Sequence, residues 1–166
     1  MKNTSTTIMP AKKVLSIIGE QYGYINEPYI LRPIFKNFLD KYYPSPMNTD
    51  RARNLVDVFI VLFNESKIHD DFYTNKSEYD GYFFVEQYKI LTEYCIGRKT
   101  FENSIKFLKE MGLLDYENKW DTKRQIRRRW LRLNDKGITS LIERSKKMRK
   151  KLDDDKQNRI IKDNNW

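Results

Sequence analysis

The sequence holds a single cysteine, Cys95, and a single histidine, His69, in 166 residues. An intrachain disulfide and any multi-thiolate metal site are thereby excluded. There is no paired-histidine motif, and no glycine-rich phosphate loop follows a strand in a chain with only six glycines. No recognisable acid–base, nucleophile or metal constellation remains, so neither an enzymatic activity nor a cofactor is expected. His69, Asp70 and Asp71 are neighbours, but one histidine and two carboxylates on a polar loop make a poor metal site, and no metal is expected. Cys95 reads as a small buried apolar residue in a turn. Apolar runs long enough to span a bilayer are missing, and residues 1–11 carry no hydrophobic signal segment. The expected location is the cytoplasm of a prokaryote or its mobile element, at the nucleoid, with no membrane partner.

Positive charge, by contrast, is plentiful and unevenly spread. Lys and Arg number 32 against 23 Asp and Glu, a net charge of +9. Residues 119–166 alone hold 17 basic and 7 acidic side chains, whereas residues 1–118 come to −1. Within that basic part, Lys123, Arg124, Arg127, Arg128, Arg129 and Arg132 fall in ten residues. Such a concentration beside a helix is the electrostatic footprint of a polyanion partner.

The segment just upstream supplies the helix. Phe101, Ser104, Ile105 and Leu108 recur at helical period, with Lys99, Glu102, Asn103, Lys106 and Glu110 on the other face. Gly112 stands just past the last periodic residue, where a left-handed cap suits glycine, and Leu113 and Leu114 resume an apolar run. A shorter helix is expected over residues 85–94, with Tyr88, Leu91 and Tyr94 near one face and Ile96-Gly97 as the corner. Helix, tight turn and second helix form the DNA-binding bi-helical motif. The basic segment then reads as a hairpin, with strands over residues 113–118 and 126–133, Leu131 and Leu133 on the buried face, and a tip over residues 119–125.

Cys95, Ile96, Gly97, Thr100 and Phe101 follow the order of turn, short apolar residue, cap, Thr and apolar residue found in bacterial helix-turn-helix regulators. Cys95 departs from it, since glycine is commoner there. Over residues 80–141 the chain resembles the winged helix-turn-helix superfamily, including multiple-antibiotic-resistance-type regulators and plasmid or phage replication proteins. The fold class expected is mainly α with a small β-hairpin, a winged helix-turn-helix with extra N- and C-terminal helices. The resemblance implies double-stranded DNA as partner and a homodimer joined through terminal helices.

Four parts are expected along the chain. Residues 1–49 form an N-terminal helical extension in which Ile30, Leu31, Ile34, Phe35, Phe38, Leu39 and Tyr42 make a stripe, among a cluster that includes Tyr22, Tyr24, Tyr29 and Tyr43. Residues 50–134 form the winged unit, whose first helix, residues 54–63, is apolar nearly all round. A polar loop of unusual length is expected over residues 64–80. Residues 135–152 form a C-terminal helix capped by Asn134 or Asp135. In it Ile138, Leu141, Met148 and Leu152 trace a weak heptad seam for dimerisation, or else Ile138, Leu141 and Ile142 pack on the domain while Lys146 to Lys151 fray into solvent. Residues 153–166 have the composition of a disordered tail.

The candidate DNA-binding residues are Arg98, Lys99, Thr100, Glu102, Asn103 and Lys106 on the helix, and Lys119, Lys123, Arg124, Arg127, Arg128 and Arg129 on the hairpin. Asn103 is the leading base reader, because an amide pairs bidentately with adenine, and Lys or Arg reaches guanine. Thr100 caps the helix or donates to a phosphate. Glu102 and Lys106 have a second reading as an i,i+4 ion pair. The arginines suit phosphates or a minor groove, and they also serve to solvate an exposed hairpin edge. A sequence-specific regulator of transcription is the first functional expectation. A replication or transfer initiator of a mobile element, with replication or transcription proteins as partners, is the second. A winged-helix module for protein or RNA contact is the third, from another class.

Overall fold

A computed structural model describes residues 28–73, 82–121 and 125–164 of the chain. It is mainly helical with one antiparallel hairpin, in the order α1 (Pro28–Tyr42), α2 (Asn48–Tyr73), α3 (Gln87–Thr92), α4 (Arg98–Glu110), β1 (Leu114–Asp121), β2 (Ile126–Leu133) and α5 (Asp135–Asn164). No described helix is long and apolar enough to cross a membrane.

Helix α1 turns Ile30, Leu31, Ile34, Phe35 and Leu39 inward, as their spacing predicts, and Phe35 meets Phe59 of α2 edge to face at 6.0 Å. Asn48, buried at the start of α2, donates to the Asp40 carboxylate at 2.9 Å and to the Tyr43 carbonyl at 3.1 Å, which fixes the corner between the two helices. Leu55, Val56, Val58, Phe59 and Leu62 bury the middle of α2.

Beyond Phe63, where a long polar loop was expected, α2 continues as helix to Tyr73. Residues 64–73 contain no proline or glycine to stop it, and propagating a helix is far cheaper than nucleating one. Residues 74–80, the remainder of that loop, lie outside the described residues, as do Tyr22 and Tyr24 and the side chains of His69, Asp70 and Asp71.

Helix α3 differs from expectation in its buried face. Ile90 is buried, whereas Tyr88 is 74% and Leu91 60% exposed. A helix of six residues contains too few turns for apolar spacing to fix which side faces in. Its anchor is polar. The buried Glu65 of α2 accepts from the Tyr94 hydroxyl at 2.5 Å and pairs with Lys89 at 2.7 Å. Burial, reinforced by that carboxylate, raises the Tyr94 phenol above its ordinary value.

β1 and β2 pair in register from Leu114↔Leu133 to Asp121↔Ile126, so the strands reach further than the expected end at Asn118. Phe83 bridges Leu131 on the outer edge of β2 through two backbone bonds of 2.8 and 2.7 Å. Gly112 has φ +77 and turns the chain from α4 into β1. Gly137, in the first turn of α5, packs so closely on that turn that a Cβ there would lie 1.9 Å from the Gly112 carbonyl oxygen. Asn134 caps α5 by accepting from the Gly137 amide at 2.8 Å while donating to Asp115 at 2.9 Å.

On α5, Ile138, Leu141, Ile142 and Ser145 are buried, and Met148 and Leu152 pack against the core. Ile138, Leu141 and Ile142 thus pack on the domain beside α1 as the packing alternative has it, but residues 146–151 stay helical instead of fraying, because Met148 and Leu152 continue the packed face. Where a disordered tail was expected from residue 153, the helix runs on to Asn164, with the side chains of residues 153–162 exposed. No proline or glycine interrupts residues 153–164, so the helix already nucleated on the domain propagates through them.

Candidate nucleic-acid interface

Helix α4 starts at Gly97, an N-cap in extended conformation without a side-chain cap, and buries Phe101, Ser104, Ile105 and Leu108. A hundred degrees per residue then places Lys99, Asn103, Lys106 and Glu110 on the opposite ridge, and all four are exposed. Lys99, Asn103 and Lys106 make no hydrogen bond or ion pair with a described residue.

The two flanks of that ridge are held differently. On the hairpin side, Glu102 accepts two hydrogen bonds from Arg129, at 2.7 Å from Nη1 and 3.0 Å from Nη2. Arg129's bonds hold the Glu102 carboxyl below its ordinary value against the opposing effect of burial, and the charges of Arg129 and Arg98 add to the lowering. Glu102 is therefore engaged with the hairpin, not with Lys106. In the last turn of the helix, the Lys109 ammonium sits 4.3 Å from the centre of the Tyr116 ring.

On the other flank, Tyr43 stacks edge-on against Phe107 at 5.3 Å. Its hydroxyl donates to the Glu110 carboxylate, which raises the phenol above its ordinary value. Between α4 and the start of α2 runs a groove of about 620 Å³ lined by Lys99, Asn103 and Lys106 and, across from them, Tyr43, Arg51 and Asn54.

The hairpin divides its side chains by register. Asn118 pairs with Arg129 and Trp120 with Arg127, so these four share the face that carries the bridge to Glu102. Arg127 and Trp120 are exposed there. The reverse face is an aromatic ladder. Arg128 lies 3.9 Å from the Phe84 ring and 3.7 Å from the Asp121 carboxylate, and Trp130 meets Phe84 edge to face at 5.2 Å. Lys119 pairs with Glu117 at 2.7 Å and sits 4.5 Å over Tyr82, with Arg132 on the same ring at 5.4 Å.

Of the candidate residues, Arg98, Lys99, Thr100, Asn103, Lys106 and Arg127 thus lie on the α4 side with open side chains or, for Thr100, half-buried. Glu102 and Arg129 bind each other. Lys119 and Arg128 belong to the reverse face, and Lys123 and Arg124 lie outside the described residues. Sequence reasoning overlooked Trp120, Arg51 and Asn54. Alternation along β1 flags Trp120, since Leu114, Tyr116 and Trp120 share one face, but the N-terminal turn of α2 gives no such signal.

Cys95 also departs from its expected place. It is exposed, with φ +56, a left-handed conformation that favours glycine. The left-handed backbone that the turn requires directs its side chain outward.

No family model, curated protein or solved structure matches this chain. The functional reading therefore rests on the chain's own residues.

Proposed function

We propose that this chain is a winged helix-turn-helix protein that binds double-stranded DNA and acts as a sequence-specific regulator of transcription in the cytoplasm. Helix α4 lies in the major groove and the hairpin follows the neighbouring backbone. The observation that carries this reading is the ridge of Lys99, Asn103 and Lys106, exposed and without partners among the described residues, beside a basic hairpin joined to the helix by the Glu102–Arg129 pair. Lysines and an asparagine at i, i+4 and i+7 present donors along one line of a helix narrow enough for the major groove. Arg98 at the helix start and Arg127 on the hairpin flank that line, where phosphates run.

Titration with random-sequence duplexes at two salt concentrations tests the proposal. Affinity should fall steeply with salt, and each of Lys99, Lys106, Arg98 and Arg127 that neutralises a phosphate should account for about 0.9 of the log–log slope. Failure to bind duplex even at low salt overturns the reading. A selected motif in two parts, with half-sites about one helical turn apart, would identify a dimer on its operator, and a motif repeated beside the protein's own gene would support the regulatory role.

A further inference from the structure

Trp120 stays mostly in water at 61% exposure, whereas Trp130 on the neighbouring strand is 3% exposed. It has no ring contact, hydrogen bond or cation–π contact with a described residue. An indole left bare on a strand forgoes the burial that makes tryptophan worth its size.

Its direction is set by register. Trp120 pairs with Arg127, and Asn118 with Arg129. Partners across a ladder share a face, as do alternate residues along a strand. Trp120 and Arg127 therefore stand on the side of the hairpin bound to α4, about 7 Å nearer the tip than the Glu102–Arg129 bridge. On the reverse side, Arg128 is held by Asp121 and Phe84, so the strands beneath Trp120 are braced. A duplex lying along α4 and reaching past that bridge toward the hairpin tip would meet this indole.

We propose, on the strength of the DNA-binding reading, that Trp120 packs its indole against the sugar and base edges of the minor groove beside the site occupied by α4, with Arg127 on the adjoining phosphate. A phosphate offers an indole little beyond one hydrogen bond. Deoxyribose faces and base edges offer apolar contact, and apolar side chains in the minor groove act as wedges between base steps. Arginine supplies the charge that such a wedge lacks.

Trp120→Ala, Trp120→Phe and Arg127→Ala, compared with the wild-type chain on one selected duplex, separate the contributions. Trp120→Ala should lose about tenfold in affinity or more, as burial of a large apolar side chain implies, with an unchanged salt slope, because no charge is removed. Trp120→Phe should retain most of the affinity, and Arg127→Ala should lower the slope by about 0.9. Replacing guanine by inosine at the step under the hairpin removes the minor-groove amino group and leaves the major groove intact. That replacement should change wild-type affinity several-fold more than that of Trp120→Ala. Far-UV circular dichroism and Tm check that the variants fold, and Trp120→Thr, which suits a strand but lacks the indole, carries the comparison if Trp120→Ala does not. Equal affinity of Trp120→Ala and wild type, or equal response of both to inosine, overturns the assignment and leaves DNA binding by α4 standing. Absence of wild-type binding to any duplex overturns both.

Discussion

Glu102 of α4 and Arg129 of β2 meet through two parallel hydrogen bonds, Oε2 to Nη1 at 2.7 Å and Oε1 to Nη2 at 3.0 Å. The pair fixes the angle between helix and hairpin, because a planar guanidinium on a carboxylate tolerates little rotation. Both side chains are partly exposed, at 29% and 41%, so solvent screening limits the coupling to about 0.5–1 kcal/mol, measurable by a double-mutant cycle with Glu102→Gln and Arg129→Gln.

The same pair carries a pH dependence. Arg129 depresses the folded-state value of Glu102 below the ordinary 4.5. Its contribution is therefore full above about pH 4.5 and lost as pH falls through the lower folded value. Tm of wild type and Glu102→Gln, followed from pH 6 to pH 3, should differ by a few degrees at the upper end and converge in acid. Parallel curves would show that the bridge does not form in solution.

Gly137 is where the chain tolerates no side chain. An alanine Cβ would lie 1.9 Å from the Gly112 oxygen and 2.7 Å from its carbonyl carbon, both backbone atoms of the turn between α4 and β1. Gly137→Ala should cost at least about 2 kcal/mol, seen as a lower denaturation midpoint. Gly97→Ser is the contrasting substitution. With nothing within 4 Å of its Cβ position and an uncapped helix start, it should gain a few tenths of a kcal/mol, about the margin by which serine exceeds glycine as an N-cap.

Cys95 carries a left-handed φ of +56 on a residue with a Cβ. Replacing it by glycine relieves that strain, about 1–2 kcal/mol, and partly returns it through a freer unfolded chain. Cys95→Gly should stabilise by about 0.5 kcal/mol. Because the thiol is exposed, the folded wild-type protein should also be alkylated by maleimide without denaturant. Protection of the thiol until unfolding would contradict the exposed corner.

How much of this was legible in the sequence follows from the physics of each element. The buried face of α4 and the left-handed Gly112 were legible because three turns of periodic residues and a glycine stop leave one phase and one ending. The mainly helical fold with a single hairpin was legible for the same reason. The face of α3 was not, since Ile90 alone decides it. The lengths of α2 and α5 were hidden by their polar residues, which suggest solvent exposure but do not end a helix. The division of the arginines was also hidden. Arg127, Arg128 and Arg129 are consecutive and chemically identical, and only the ladder register sends Arg128 to Phe84, Arg129 to Glu102 and Arg127 to the open face.

Base reading by the exposed ridge of α4 is tested by the sequence preference of wild type and Asn103→Ala on the same randomised duplex pool. Wild type should select a defined motif, and Asn103→Ala should lose preference at one position, worth about 1–3 kcal/mol of discrimination. Overall salt dependence should be preserved, because no charge is removed. An unchanged motif in the variant would contradict the placement of this ridge in the groove.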